Sequence, residues 1–433
     1  MILFSKLFPK PSYLSLSVAM LVCLILLLCL SLKIVVVQGV IFTASSVFIA
    51  ITAACYFTVL RKCNFTEQRH LLNQSLLALY LFSIGLYFLM SVSTIETSHE
   101  NSAYQIVFEG IARKFFAAAI SFALSFYLPH ILFCNPRGNS PLSYMKCLTL
   151  SLLGGFSFFS LDYFFLFYTM ELPEFYGIYF DSLLAFIFIY LLARICYHSL
   201  SYIKGFDRFL SSSEPDKIYL TNPFYQYLVI FSVIILLICL SCEYRLISIS
   251  NGWLFATSGL LFPLAMFASN LISELYGYRA NLRLAAILII SQICFDLFLI
   301  KIVSLPTPQS MDFSSLHYSS VVMRLPAGAL ALFVTFVGNA ILLENLKYTR
   351  LGIKQGLRII IANFFSTSVL CLVNYSLLYG GVYPHQQISS LAFNTWFYKF
   401  SFILAALPLT LWIYHFLKKN SSFQFVSPIT SQR

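Results

Sequence analysis

Ionisable side chains inside long apolar runs are the residues of this sequence whose chemistry is most informative. Eight of them lie within or at the ends of such runs: Arg113, Asp162, Asp181, Glu274, Asp296, Arg324, Glu344 and Lys399. A charge at the centre of a bilayer costs at least about 2.5 kcal/mol, so such residues usually contact a solute, an ion or one another. The pattern predicts recognition of a solute inside a membrane.

Structural roles compete with this interpretation for several of these residues. Arg113, Arg324 and Lys399 lie near the outer ends of their predicted spans, where extension to the lipid headgroups explains each residue as well as ligand contact does. Glu274 lies near a group of arginines, and an interfacial ion pair would account for it. Asp181 is better explained as a residue of the outer interface.

Asp162 and Asn374 are more informative because they occupy matching mid-span positions in the two halves of the chain. A hydrogen bond between helices is the structural alternative for both. Their matching depth nevertheless makes them candidates for a site.

Enzyme chemistry has little support. The sequence has no Gly-rich phosphate loop, no paired His-Glu metal site on one helix and no Ser-His-Asp grouping, and its seven histidines are scattered. The eleven cysteines lie mostly in apolar runs without metal-type spacing and are best interpreted as small hydrophobic residues. We therefore predict a carrier and not an enzyme, with no metal and no cofactor.

The composition predicts the environment that must position these groups. Apolar residues make up 59% of the chain, charged residues only 10%, and 45 residues are Phe. A water-soluble fold of this composition would expose large apolar patches. About 20 apolar residues cross a bilayer as a helix, and twelve such runs occur, near 14–36, 40–60, 71–93, 112–133, 147–170, 178–200, 224–243, 253–273, 284–304, 321–343, 358–380 and 396–417.

An internal repeat relates the two halves. LLLCLS at 26–31 matches LLICLS at 236–241, and Arg113 and Arg324 each open an apolar run at a displacement of 211. Asp162-Tyr163 and Asn374-Tyr375 are displaced by 212. We therefore predict an all-α, polytopic integral membrane protein with about twelve transmembrane helices, arranged as two parallel six-helix repeats.

The distribution of Lys and Arg predicts the orientation. If the N-terminus is inside, most of the 27 basic residues fall in inner loops, as the positive-inside rule requires. The net charge of +11 then reflects topology and does not indicate a nucleic-acid partner. The predicted organisation is a six-helix unit at 1–200, a cytoplasmic linker at 201–223, a second six-helix unit at 224–419 and a cytoplasmic tail at 420–433.

Four segments of the second half resemble one known family. They are FPLAMFASNLISELYGYRANLRL at 262–284, VVMRLPAGALALFVTFVGN, STSVLCLVNY and WFYKFSFILAALP. In this order they resemble the queuosine precursor transporter family over most of residues 224–419. The first segment is similar to the family's Phe-Pro and Glu-x-Tyr-Gly motifs, the next two to its Arg-led and Ser-to-Asp helices, and the last to its Lys-containing final helix.

Two departures from the family pattern bear on mechanism. Asn270 and Asn374 stand where the family typically has Asp, and an amide can hydrogen-bond a ring edge but cannot carry a proton. In the first half Tyr56 and Leu60 replace Asn270 and Glu274, while Arg113 and Asp162 are kept. The first half is therefore interpreted as a degenerate repeat that serves as a packing partner and lends Asp162 to the site.

The resemblance implies uptake of a 7-deazaguanine, such as 7-cyano-7-deazaguanine or queuine, across a bacterial inner membrane with both termini in the cytoplasm. It implies substrate contacts from the following residues, the last three as additional candidates: Asn270, Glu274, Tyr276, Arg324, Asn374, Lys399, Asp162, Arg113 and Asp296. The two amides would bind ring edges, Glu274 would accept from an N–H group, and Arg324 and Lys399 would polarise a carbonyl or nitrile.

Two other classes of protein stay open. The loss of two acids favours a non-transporting membrane scaffold or diverged paralogue. A membrane-embedded enzyme is the weaker alternative because it would need a nucleophile or a metal cluster. Ligand binding by the purified protein separates the scaffold from the carrier.

Overall fold

The fold is described from a computed structural model of the full chain. The structure describes residues 13–92, 110–134, 143–168, 175–200, 222–243, 245–249, 253–307, 318–348, 354–380 and 384–419. Residues 201–221 of the predicted linker and the predicted tail at 420–433 lie outside the described residues.

The described part of the first half contains six helices and one β-hairpin. In chain order they are α1 (Tyr13–Leu30), β1 (Ile34–Val37), β2 (Val40–Thr43), α2 (Ala44–Lys62), α3 (Phe65–Ser91), α4 (Ile111–Phe133), α5 (Tyr144–Phe167) and α6 (Phe175–Leu200). A π-helical segment at Ala123–Tyr127 interrupts α4.

The second half repeats this order of elements. It contains α7 (Pro223–Ser241), β3 (Leu246–Ile249), β4 (Trp253–Ala256), α8 (Ser258–Tyr276), α9 (Tyr278–Ser304), α10 (Tyr318–Leu332, the π-helical segment Phe333–Val337, and Gly338–Tyr348), α11 (Gln355–Tyr379) and α12 (His385–Lys419).

The helices confirm an all-α polytopic membrane protein. Among the described residues eleven helices are long and apolar enough to cross a bilayer, and a shorter apolar helix, Leu14–Leu30, precedes them. Large apolar side chains on these helices are exposed, for example Phe188 at 67% and Leu132 at 66%. Lipid contact is the environment in which such surfaces are stable.

The two hairpins are the part of the fold that the apolar runs did not predict. The apolar runs place residues 31–36 and 40–43 at the ends of two spans, but Ile34–Val37 and Val40–Thr43 pair antiparallel, with Val37 opposite Val40. Gln38 and Gly39 both have positive φ, 53° and 85°, which is the requirement of a type I′ two-residue turn. β-Branched residues on both sides of that turn favour strands over helix.

The chain forms two compact units. Unit 1 comprises 1–84, 102–213 and 298–316, and unit 2 comprises 85–101, 214–297 and 317–433. In unit 1, α2 packs against α1, α5 and α6, and α4 packs against α5. In unit 2, α8 packs against α7 and α12, and α11 packs against α10 and α12.

Candidate functional site

A cavity lies inside unit 2 and is lined by residues of all six helices of the second half. It encloses about 400 Å³ of space between atoms, its opening included. The polar lining residues are Glu243, Ser258, Gln292, Asn374 and Lys399, and the others are Leu236, Cys239, Leu240, Phe262, Gly328, Ala331, Leu332 and Leu370. A mostly apolar wall with a few converging polar groups is typical of a small-molecule site.

Lys399 supplies a cation to this cavity. It lies in the interior of α12 and is 3% exposed, so it does not extend to the headgroups. Its Nζ lies 4.8 Å from the ring centroid of Phe262 and 5.6 Å from that of Tyr375. Among the described residues no carboxylate lies within ion-pair distance of this Nζ. Lys399 is therefore held by aromatic faces and remains available to an acceptor on a ligand.

Asn374 and Glu243 form a hydrogen-bonded pair that brings an acidic group to the cavity. Asn374 Nδ2 donates to Glu243 Oε1 at 3.2 Å, and Tyr379 Oη donates to the backbone oxygen of Glu243 at 2.7 Å. Glu243 Oε2 is buried and has no hydrogen-bond partner among the described residues. Burial raises the pKa of Glu243, although the nearby Arg324 guanidinium and the Asn374 amide oppose this shift.

Arg324 lies behind the cavity wall and not at its surface. It is fully buried, forms an ion pair with the fully buried Asp296, and donates from Nη1 to the backbone oxygen of Leu240 at 2.7 Å. These contacts join α10 to α9 and α7. The structure thus brings Arg324 and Asp296 together, and it favours a positioning role for this pair over the headgroup alternative.

Asn270 belongs to a second polar group in unit 2, which we call the asparagine cluster: Asn270, Asn339 and Asn363. Asn270 Oδ1 accepts from Asn339 Nδ2 and from Asn363 Nδ2, each at 3.1 Å. On α11, Asn363 and Asn374 are eleven residues apart, which is about 16 Å along a helix. The structure therefore does not bring Asn270 and Asn374 to one ligand-sized site.

Glu274 lies one turn from Asn270, and both face α11, as their spacing predicts. Both carboxylate oxygens of Glu274 accept from Arg358 Nη2, at 2.8 and 2.7 Å, and Gln355 donates to Oε2 at 3.0 Å. An ion pair therefore does occur at Glu274, with Arg358 of α11 as the partner.

Tyr276 and Gly277 end α8. The Tyr276 ring packs edge-on against Tyr225 with centroids 5.3 Å apart, and its hydroxyl has no hydrogen-bond partner among the described residues. Gly277 has φ of 86°, a conformation that side chains disfavour, so the Gly of the Glu-x-Tyr-Gly motif permits the turn between α8 and α9.

The two candidates of the first half lie in unit 1. Arg113 Nε donates to the backbone oxygen of Phe165 at 3.1 Å. Asp162 is fully buried, and neither of its carboxylate oxygens has a hydrogen-bond partner among the described residues. The hydrogen bond between helices that would explain Asp162 structurally is therefore not formed by any described residue.

Glu243 and Gln292 line the cavity but were not among the predicted site residues. Glu243 is the last residue of the predicted run 224–243 and looks like a loop acid in the sequence SCEYRL. Gln292 carries no charge, so a pattern of intramembrane charges does not include it. The signal that could have revealed Glu243 is the repeat, because at the displacement of 210 that relates LLLCLS to LLICLS it stands opposite Lys33, another ionisable residue.

The helices of the described residues define a multi-pass membrane protein, and the polar cavity of unit 2 is its candidate site for a small molecule. Residues 256–413 match the family described as "Putative vitamin uptake transporter". This region holds every cavity-lining residue from α8 to α12 and excludes α7 and Glu243. The chain is thus similar to uptake transporters over the part that builds most of the cavity, which supports transport of a small molecule. Neither a curated protein nor a solved structure matches the chain.

Proposed function

We propose that this protein takes up a queuosine precursor, a 7-deazaguanine such as 7-cyano-7-deazaguanine or queuine, into the bacterial cytoplasm. The observation that carries the proposal is the cavity of unit 2, where Lys399 stands over Phe262 and Tyr375 and faces a wall that holds Asn374. A flat heterocycle with polar edges needs aromatic faces, a cation for its acceptors and amides for its donors.

The proposed roles follow the geometry of unit 2. Lys399 polarises the carbonyl or nitrile of the substrate, and Asn374 hydrogen-bonds a ring edge. Arg324, neutralised by Asp296, positions the wall at Leu240. In this scheme Lys399 and Asn374, which line the cavity, contact the substrate directly, and Arg324 does not.

A second proposed role belongs to three residues near the C-terminal end of α8. Asn270, Glu274 and Tyr276 lie along the end of that helix and join it to α10, α11 and α7. We propose that these contacts keep the substrate pathway closed, and that they break when substrate is released. Within unit 1, Arg113 and Asp162 are proposed as the corresponding polar residues of the repeated unit, with Asp162 as its buried acid.

The proposed setting is the bacterial inner membrane with both termini in the cytoplasm, as the Lys and Arg distribution predicts. The shared order of elements in the two halves supports an origin by duplication. Transport is proposed in preference to catalysis because the family that residues 256–413 match is described as a putative vitamin uptake transporter.

A non-transporting scaffold is the second candidate. The observation that favours it is the exchange of two family acids for Asn270 and Asn374, which removes two sites for a proton. Against it stand the buried polar groups of the cavity, since polar groups within a membrane are costly without a function.

Accumulation of radiolabelled 7-cyano-7-deazaguanine in cells that lack their own carrier tests the proposal. The wild-type protein should restore accumulation, and Lys399→Met should remove most of it at equal membrane abundance. Lys301→Met is the matched control because Lys301 is exposed on α9. Binding by the purified protein without accumulation would favour the scaffold.

A further inference from the structure

We infer that Glu243 is a specificity-determining residue that accepts hydrogen bonds from the amino-amide edge of a guanine-type ring. This inference rests on the proposed function and deepens it, because it names the chemical feature of the substrate that the site selects. The feature is a pair of adjacent N–H donors, one on the ring and one on the exocyclic amine.

The position of Glu243 is fixed before any ligand arrives. Its backbone oxygen accepts from Tyr379 Oη at 2.7 Å, and the preceding residue, Cys242, donates its backbone N–H to the oxygen of Cys239 at 3.2 Å. Glu243 is 7% exposed although it lies outside a regular helix. Together with the hydrogen bond from Asn374 Nδ2 to Oε1, these backbone contacts leave the Glu243 side chain little conformational entropy to lose on binding.

One carboxylate oxygen of Glu243 has a hydrogen-bond partner, and the other has none among the described residues. Asn374 holds Oε1, whereas Oε2 is buried without a hydrogen-bond partner among the described residues and belongs to a cavity-lining side chain. An ionised carboxylate is an acceptor only, and leaving one of its oxygens unsatisfied in a buried place is costly. A donor supplied by the ligand would satisfy it.

The other polar lining groups complete a dipolar site. Lys399 offers only donors, while Glu243 offers only acceptors, and Phe262 provides an aromatic face beside Lys399. A ligand that fits both must carry donors at one edge and acceptors at another. A 2-amino-4-oxo pyrimidine ring has this arrangement, whereas a ring without the amino group offers one donor fewer.

Glu274, the acid predicted from the sequence for this role, is already engaged. Both of its oxygens accept from Arg358, and it does not line the cavity. The two acids of the second half therefore differ in what they can do. Glu243 has a buried oxygen that lacks a hydrogen-bond partner among the described residues, and Glu274 holds two helices together.

Equilibrium binding of two radiolabelled probes to the purified full-length protein tests the inference. The probes are 7-cyano-7-deazaguanine and the same ring without its 2-amino group. Wild-type protein should bind the first at least about tenfold more tightly, because a hydrogen bond to a charged group is lost with the amine. Glu243→Gln should weaken binding of the first probe about tenfold and reduce the preference to about twofold or less.

Glu274→Gln is the matched variant, since it makes the same chemical change at the engaged acid. It should leave the preference between the probes unchanged, whatever it does to protein stability. An unchanged preference in Glu243→Gln, or a lost preference in Glu274→Gln, would overturn this inference and leave the proposed function standing. Failure of the wild-type protein to bind either probe would overturn the proposed function and this inference with it.

Discussion

Asp296 and Arg324 form an ion pair in which both side chains are fully buried. The pair joins α9 to α10, and Arg324 extends the connection to α7 through the backbone oxygen of Leu240, a residue of the cavity wall. Because this pair is sealed from solvent and lipid, each charge depends on the other for compensation.

The first prediction follows from this dependence. Asp296→Asn or Arg324→Met alone should lower the free energy of unfolding by about 3–5 kcal/mol, since each leaves a buried charge unpaired. The double variant Asp296→Leu with Arg324→Met should recover much of that loss. Thermal unfolding of the detergent-solubilised protein measures both effects. A loss in the double variant equal to the sum of the two single losses would show that the pair is not coupled.

A second prediction concerns the pH dependence of ligand affinity in the wild-type protein. Burial raises the pKa of Glu243, and the charged groups around it are Arg324, Asp296 and Lys399. The ionised form accepts the ligand's donors, so affinity should fall as the pH is lowered through a pKa above the usual value for Glu. Binding measured as the pH is lowered toward the usual pKa of Glu should show this fall, and Glu243→Gln should abolish it. A fall that persists in Glu243→Gln would assign the titration to another group.

Asn374→Asp should shift this dependence to higher pH. The introduced carboxylate would lie beside Glu243, which now accepts from Asn374 at 3.2 Å, and two close carboxylates cannot both ionise without cost. The pair then keeps one proton up to a higher pH than Glu243 alone, so the fall in ligand affinity should begin at a higher pH than in the wild-type protein.

The control for Asn374→Asp is the double variant with Glu243→Gln, which removes the like-charge repulsion and should remove the upward shift. Affinity measured across the same pH range decides the outcome. An upward shift that survives in the double variant would mean that the two side chains do not interact.

The sequence predicted the helices better than it predicted the site. Apolar length alone located the spans, because a bilayer imposes that length on every helix. The hairpin at Ile34–Thr43 was missed because Ile and Val satisfy both an apolar span and a strand, and only the Gln38-Gly39 turn distinguishes them. The equivalence of Asp162 and Asn374 was predictable too, since each lies five residues before the end of its helix, although the sequence placed both at mid-span.

Partners across helices could not be predicted from spacing. Glu274 was placed near the arginines that follow it in sequence, yet its partner is Arg358, 84 positions away. Arg324 reaches Asp296 across 28 positions, and Glu243 meets Asn374 across 131. Such pairings depend on how helices pack, which one amphipathic pattern does not specify.

Glycine packing at the cavity gives another prediction. A Cβ atom on Gly259 would lie 2.5 Å from Thr395 Cγ2 and 3.8 Å from Lys399 Cε, so Gly259→Ala should push α8 and α12 apart. We expect weaker ligand binding and a loss of about 1–3 kcal/mol in stability.

Gly338→Ala is the matched control for that variant. No atom lies within 4 Å of a Cβ placed on Gly338, and alanine favours the helix there by roughly 0.5–1 kcal/mol. Thermal unfolding and probe binding should be unchanged or slightly improved. A Gly259→Ala protein that behaves like Gly338→Ala would contradict the close packing of α8 on α12.

Reporter fusions test the proposed orientation. Fusions after Arg208 and after Lys419 should both report a cytoplasmic location, because basic residues concentrate on the loops assigned to that side. A periplasmic signal from either fusion would contradict an even number of crossings with both termini inside.

Uptake by liposomes that contain only the purified protein tests the central claim most directly, since no partner protein can contribute. Wild-type protein should accumulate radiolabelled 7-cyano-7-deazaguanine in a saturable way, unlabelled precursor should compete, and Lys399→Met should reduce the rate to that of empty liposomes while Lys301→Met does not. Folded wild-type protein that accumulates no more precursor than empty liposomes would contradict the account.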